Sequence, residues 1–475
     1  MATPLAVASD RPPPWREVFH GRRGRLTAGL LLLEALVAVQ SLVLATIMPD
    51  VRRDLGMVEL YGLAFTTASL ATISAIPIAG RAVDRFGARV VLIPVLLLFA
   101  AGLLVAASAP TMPVLLGGQF LAGSGGGGLY ALSLGIVAKT YPDRVRPRVL
   151  ALLATMWILP GLVAPPFGAL VASTVGWRWA FLAPIPVLLV GWLLIVPALD
   201  LVPRGGTTQV RLAVRWPLQL MVGAGLVFTA LTIVRPWALV MVGAGVVIGV
   251  PALARLVPPG TFRAAPGLAA SAGAAFLLSI GFLAMDAFLT LMLTEVRGLT
   301  LARASVAITI ATITWGLASM WQSGRAARTP LPRLLLIGTA LVVLGGAGVG
   351  AALWPSVPLA FAYAGWTVVG AGMGIAFPTI PLAAMRQAGA GEESSDLSSV
   401  LLMDMLGVAT GAGLGGGAIA VAEATGRSLS AGIAGAFVIA LVALLGLLVV
   451  ARRIAPGSAG GSGGAAPERA AERAE

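Results

Sequence analysis

Long apolar runs separated by short polar loops dominate the chain. The runs are 20 to 29 residues long, and an α-helix that crosses the hydrocarbon core of a bilayer needs about 20 apolar residues. They lack the strict alternation of apolar and polar positions that marks the strands of a membrane β-barrel. The pattern predicts an all-α membrane protein with fourteen transmembrane helices, termed spans 1 to 14, at residues 25–49, 59–80, 89–109, 112–138, 149–173, 179–199, 214–233, 236–256, 266–293, 301–322, 333–353, 357–385, 397–422 and 429–451.

A polar segment at the end of span 2 recurs at the end of span 10. Residues 80–89 read GRAVDRFGAR, and residues 324–333 read GRAARTPLPR. Glycines of span 4 recur at a similar offset in span 12, whereas spans 7 and 8 have no counterpart. Such a repeat predicts two six-helix halves and two extra central helices. The predicted units are a cytoplasmic leader (1–24), an N-terminal half (25–199), a linker with the extra helices (200–263), a C-terminal half (264–452) and a disordered cytoplasmic tail (453–475).

Composition supports a membrane protein and sets its orientation. Only 11% of the residues are charged, against about 25% in soluble domains. The net charge of +13 resides in short loops rather than in one basic patch, which argues against a nucleic-acid partner. With the amino terminus inside, 25 of the 32 lysines and arginines lie on the cytoplasmic side. The positive-inside rule then predicts a multi-pass protein of the cell (inner) membrane, surrounded by lipids, with both termini cytoplasmic.

The residues that most enzymes need are scarce. The chain has no cysteine and a single histidine, His20, which lies in the polar leader. There is no nucleotide-binding loop, no cluster of residues with metal-ligand spacing and no serine–histidine pairing. We therefore expect no metal, no cofactor and no enzymatic activity.

Three acidic residues fall inside predicted spans: Glu34 in span 1, Asp286 in span 9 and Asp404 in span 13. A carboxylate at the bilayer centre costs about 2.5–3.5 kcal/mol, so each is a candidate functional group. Glu34 and Asp404 lie at similar depths, about 14 Å and 12 Å into their helices. No arginine lies mid-span to pair with them, so burial favours their neutral form. They are candidates to bind a proton or a cationic substrate, or alternatively are packing residues.

Asp286 lies nearer the outer end of its helix. Thr290 and Thr294 follow at helical spacing and would complete a polar face lining an outward vestibule.

Span 10 carries a stripe of small polar residues at helical spacing. The stripe includes Thr309, Thr312 and Ser319, with Trp315 at its edge. It is typical of a cavity wall, and equally of a close helix contact. Tryptophans within spans can hold lipophilic or cationic ligands by packing and cation–π attraction, or simply pack in the core. The predicted cavity-lining residues are Gln40, Gln119, Trp157, Thr309, Thr312, Trp315, Ser319 and Trp366.

The segment 80–89 resembles a signature of the major facilitator superfamily, G-x-x-x-D-R-x-G-R-[KR], found between spans 2 and 3. The resemblance runs from span 1 to span 14 and indicates the 14-helix drug:proton antiporter branch. It implies that Asp84 meets the amino-terminal end of span 13, whose positive helix end favours a carboxylate. The copy in the second half has Arg328 where Asp84 stands. The resemblance implies an inner-side latch made of Gly80, Asp84, Arg85, Arg89, Arg325, Arg328 and Arg333.

Span 5 reads WILPGLVAPPFGA, which is similar to the antiporter signature G-x-x-x-G-P-x-x-G-G, with matches at Gly161, Pro165 and Gly168. In the family this signature marks exporters rather than importers. The alternative is a kinked helix that packs closely.

Two positions depart from the family pattern. Span 1 has Gln40 where the family usually has an aspartate, and span 4 has Gln119 where it usually has an arginine. The resemblance implies export of amphiphilic or cationic small molecules with the proton as coupling ion, handled by Glu34 and Asp404. The alternatives are a lipid or metabolite exporter or an uptake symporter that uses the acids for substrate, or a non-transporting receptor.

Overall fold

The computed structural model describes residues 16–55, 61–156, 174–202, 214–231, 237–299, 301–389 and 392–455, with isolated positions between 157 and 173. No strand occurs in this part of the chain. Helices are expected because a helix satisfies all its backbone hydrogen bonds internally in an apolar surrounding. The first eight helices are α1 (Arg16–Phe19), α2 (Gly21–Leu55), α3 (Tyr61–Phe86), α4 (Ala88–Ala107), α5 (Met112–Thr140), α6 (Arg146–Thr155), α7 (Trp177–Leu182) and α8 (Pro184–Ile195).

Eight further helices follow in the part of the chain that the structure describes. Short 3₁₀ segments follow α8 and α16 and precede α11, and a π-helical turn, Met292–Val296, extends α11. The helices are α9 (Arg215–Leu231), α10 (Ala238–Leu256), α11 (Leu268–Leu291), α12 (Leu301–Arg325), α13 (Leu331–Ala351), α14 (Ala360–Met385), α15 (Glu393–Ala424) and α16 (Leu429–Val450).

Ten helical segments in the described residues are long and apolar enough to cross a membrane. The other predicted spans fall on α3, α6, α9 and α12. The all-helical class is confirmed, and the total of fourteen spans stays a prediction.

Contacts place α2–α5, α7 and α8 in a first group and α11 to α16 in a second group. Helix α6 belongs to the first group by chain order and contacts both groups. The groups meet where α15 packs on α3 and α5, and where α6 packs on α12 and α14. The inserted pair α9–α10 is held together by the close approach of Gly223 and Gly249. Helix α9 also contacts both α3 and α15, and therefore lies beside one seam between the groups.

Matched glycines give the two groups matched packing. In α5, a Cβ on Gly123 or Gly127 would collide with the α3 backbone, at Ala68 or Thr72. In α14, Gly370 approaches the α12 backbone at Ala311 in the same way. Two helices approach this closely only where side chains are absent, which explains why the glycine spacing repeats.

Polar braces fasten the end of the bundle that lies away from Asp84. Asp54, past the apolar part of α2, accepts hydrogen bonds from Arg178 at 2.6 Å and Trp177 at 3.1 Å. These hydrogen bonds hold the pKa of Asp54 below its usual range. In the second group, Arg297 donates to the carbonyls of Ala352 and Trp354. Arg178 also donates to the carbonyl oxygen just after α4. Each brace therefore ties the first helix of its group to the third, α2 to α4 in the first group and α11 to α13 in the second.

Candidate functional site

Asp84 lies where the end of α3 meets the beginning of α15. Its buried carboxylate accepts hydrogen bonds from the backbone N–H groups of Ser394 at 3.1 Å and Ser395 at 2.6 Å. The first N–H groups of a helix have no partner within the helix and carry partial positive charge, so a carboxylate satisfies them. This is the contact that the family resemblance implies, and it joins the two helix groups. The end of the bundle that carries it is called the latch end below.

Lys139 adds a cation to this contact. Its Nζ lies 2.6 Å from Oδ1 of Asp84 and 3.8 Å from Oε2 of Glu393, and its side chain is only 10% exposed. The sequence places Lys139 in the loop after span 4, whereas α5 continues to Thr140 and projects Lys139 into the interface. Sequence reasoning missed this residue. A signal was present, since a carboxylate buried between helices needs a cation or helix end beside it.

Gly80 allows α15 to approach α3. A Cβ at this position would collide with the Ser398 hydroxyl and lie 2.7 Å from the Ser394 carbonyl oxygen. Its repeat partner Gly324 has open space around it. The close approach therefore occurs in only one of the two copies.

We expect Gly80→Ala to destabilise the closed latch end by about 1–3 kcal/mol, the usual effect of overpacking. Gly324→Ala is the matched control, and it should be neutral or slightly stabilising because alanine favours the helix more than glycine does. The melting temperatures of the purified variants test this difference. Equal melting temperatures for the two variants would contradict the close approach.

The arginines of the predicted latch lie differently from the expectation. Arg89 pairs with Asp200 at 3.3 Å, with both side chains exposed, and the Arg325 guanidinium lies over the ring of Trp321. Each of these two contacts stays within one helix group. Lys139, rather than Arg89 or Arg325, provides the cation at the interface. The remaining basic residues of the predicted latch, Arg85, Arg328 and Arg333, are exposed at the latch end.

A small cavity lies between the helix groups. Tyr130 of α5 contributes from the first group, and α11, α14 and α15 contribute from the second. The lining is mostly apolar, and its carboxyl belongs to Asp404. Ser279 Oγ donates a hydrogen bond to Asp404 Oδ1. The lining therefore combines an apolar wall with one carboxyl group.

Two of the three predicted acids lie within electrostatic range of one residue, Tyr130. Glu34 and Asp404 are buried, at 4% and 6% exposure, and Tyr130 lies within electrostatic range of both carboxyls. One acid comes from each helix group. Their similar depths were predicted from the sequence, whereas Ser279 and Tyr130 as their neighbours were not.

Asp286 lies apart from the lining of this cavity, one turn beyond Phe282 on α11. The predicted polar face with Thr290 and Thr294 assumed a continuous α-helix. The helix instead becomes π-helical from Met292, which changes the angular position of Thr294. The Thr294 hydroxyl still donates to the Thr290 carbonyl oxygen at 3.0 Å, and the polar face stays a prediction.

The predicted cavity wall divides into two sets. Trp315 is half-buried and makes edge contacts with Phe282 and Phe377, the latter in the cavity lining. Ser319 is fully buried and donates to the Gly374 carbonyl oxygen, and Trp366 stacks on Phe282 at 1% exposure. In this conformation, Ser319 packs in the contact between α12 and α14, and Trp366 packs between α14 and α11. Thr309 and Thr312 are partly exposed on the same helix.

Gln40 and Gln119 are buried, at 6% and 2% exposure. Neither amide atom of Gln40 has a hydrogen-bond partner among the described residues, and the same holds for Nε2 of Gln119. In this conformation, the described residues therefore leave three amide atoms of these two predicted cavity residues without a hydrogen bond.

Most of the exporter-like motif lies outside the described residues. This applies to Gly161 and Pro165, and also to Trp157. Gly168 is described as a buried helical residue.

Comparison with known proteins agrees with this architecture. A sequence profile of the Major Facilitator Superfamily matches residues 30–412. A protein of Mycobacterium tuberculosis named "Probable multidrug-efflux transporter" is 27% identical over 446 residues, covering 88% of this chain and 91% of that protein. The efflux pump FUS6 of Gibberella moniliformis is 26% identical over 184 residues, which are 39% of this chain. The match spans 33% of that pump's length.

The fold also matches solved structures. The human organic anion transporter MFSD10 (TETRAN) superimposes with a TM-score of 0.66 at 15% identity, covering 92% of this chain and 100% of that one. At this identity the likeness concerns the fold alone. Since the family profile covers most of the helical bundle, the chain belongs to the major facilitator superfamily of membrane transporters.

Proposed function

We propose that the chain is a secondary active exporter of amphiphilic or cationic small molecules, driven by proton antiport. One observation carries the proposal: Asp404 and Tyr130, one from each helix group, line an apolar cavity, and the Glu34 carboxyl lies within electrostatic range of Tyr130. The multidrug-efflux name of the mycobacterial relative supports export. The antiport mechanism rests on the acids.

Asp404 and Glu34 provide the exchange of proton for substrate. Burial favours the neutral, protonated acid, whereas an arriving cation favours the carboxylate. The proton and the cation therefore displace each other. The Ser279 hydroxyl donates to Asp404 and stabilises its ionised form once the proton has left. A group loaded alternately with a proton and with a cation couples their movements in opposite directions.

Access alternates by rocking of the two helix groups about the cavity. The Asp84 contact with α15 closes the latch end, which we place at the cytoplasmic face of the cell membrane. Its release opens the cavity to the cytoplasm. Both chain termini then lie in the cytoplasm.

Transport by purified protein in proteoliposomes tests this function. With an acidic interior, ethidium should accumulate inside while protons leave, and nigericin, which dissipates the pH gradient, should abolish the accumulation. Protein-free liposomes are the control. Ethidium uptake that ignores the gradient would refute proton antiport, and uptake equal to that of protein-free liposomes would refute export of lipophilic cations.

A further inference from the structure

Three amide atoms of Gln40 and Gln119 are buried without a partner among the described residues. They are both atoms of the Gln40 amide and Nε2 of Gln119. Buried polar groups in native proteins nearly always find a hydrogen-bond partner in protein, water or ligand. Both amides, on different helices, therefore offer hydrogen-bonding atoms to a polar group.

The two amides lie on facing helix surfaces. Helices α2 and α5 are in contact, and the Val37 side chain lies 3.6 Å from where a Cβ of Gly126 would stand. The helices run in opposite directions, because three connections separate them. Gln40 lies one turn beyond Val37 and Gln119 two turns before Gly126, so both are displaced away from the latch end. Their levels differ by about 6 Å along the axis, and no direct bond joins the two side chains.

The α5 surface also leads towards the cavity that Asp404 lines. Gln119, Gly126 and Tyr130 fall within about 40° around α5, so the Gln119 amide shares a face with the phenol that lines the cavity. Glu34 lies six residues before Gln40, about 9 Å along α2 and about 120° around that helix. A single drug-sized molecule can span that distance.

We propose that Gln40 and Gln119 form a neutral subsite that binds a hydroxyl group of the exported molecule. An amide offers a donor and an acceptor, which matches a hydroxyl, and it carries no charge to attract a second ion. The preferred substrate is then a lipophilic cation with a hydroxyl group on the side away from its charge. This subsite rests on the proposed function, because the cationic end is held by the acids.

Binding of two matched probes to the purified protein tests the subsite. The probes are tetraphenylphosphonium cations in which one ring carries either a 4-hydroxymethyl or a 4-ethyl group. The two groups are nearly equal in size. Wild type should bind the hydroxymethyl probe at least about tenfold more tightly, since a site built to bond a hydroxyl is left unpaired by the analogue that lacks it. Gln40→Leu and Gln119→Leu should each bring the ratio near one, with affinity for the ethyl probe unchanged or higher.

Ser41→Ala is the control, because the Ser41 hydroxyl already bonds to the Val37 carbonyl of its own helix. It should keep the wild-type preference. Equal affinities in wild type, or a preference that survives in both glutamine variants, would overturn the subsite. Failure of either probe to bind would overturn both this subsite and export of lipophilic cations. A hydroxyl preference without pH-driven transport would support the subsite and refute only the antiport.

Discussion

Asp84→Asn should open the latch end. The substitution removes the buried negative charge beside the α15 amino terminus and deprives Lys139 of its nearest anion, leaving only Glu393 at 3.8 Å. Truncating one partner of a buried ion pair costs about 3–5 kcal/mol. Asparagine keeps one hydrogen-bond acceptor, so we expect the lower end of that range. A loss of about 3 kcal/mol lowers the ratio of closed to open molecules by about a hundredfold.

Distances between spin labels can measure this shift. The chain has no cysteine, so cysteines introduced at Phe86 and Ala327, exposed residues on opposite helix groups, become the labelling sites. The variant should show a longer distance than wild type. Asp143→Asn is the matched control, because Asp143 is exposed and pairs with Arg146, three residues later in the chain.

Lys139→Met should have a smaller effect, since the two N–H bonds to Asp84 remain. The double variant should lose less than the sum of the single losses, because both changes break one pair. An unchanged distance distribution in Asp84→Asn would refute the latch.

Asp404→Asn should abolish transport driven by a pH gradient. An asparagine cannot release a proton, and the cavity then loses its carboxyl. We expect pH-driven ethidium uptake to fall at least about tenfold, because the bound cation loses its interaction with the buried Asp404 carboxylate. Glu34→Gln should also reduce the dependence on the gradient, because the two acids share the neighbourhood of Tyr130.

Asp286→Asn is the control for removing an acid from the bundle, since Asp286 lies outside the cavity lining. It should retain gradient-driven uptake. Ser279→Ala should lower uptake less than Asp404→Asn, because it removes a hydrogen bond and leaves the acid in place. Wild-type uptake by Asp404→Asn would contradict the assignment of this residue.

Local patterns in the sequence predicted much of the fold. Apolar runs located the helices, and repeated glycines located close helix contacts such as those of Gly123 and Gly370. These features depend on one helix and its immediate neighbour. The resemblance of residues 80–89 to a family signature also placed Asp84 correctly against α15.

Features that depend on the arrangement of several helices were missed. Lys139 becomes part of the latch only because α5 extends past its predicted end. Ser279 becomes the partner of Asp404 only through the packing of α11 on α15. Ser319 and Trp366 lie on helix faces that periodicity identifies, but periodicity does not distinguish a cavity from a neighbouring helix.

Proton release on substrate binding tests the exchange at the acids most directly. Ethidium added to the solubilised protein in weak buffer should release about one proton per bound molecule, because a proton and a cation that exclude each other must each weaken the other's binding. Asp404→Asn should bind ethidium more weakly and release fewer protons. Binding to wild type without any proton release would contradict proton-coupled export.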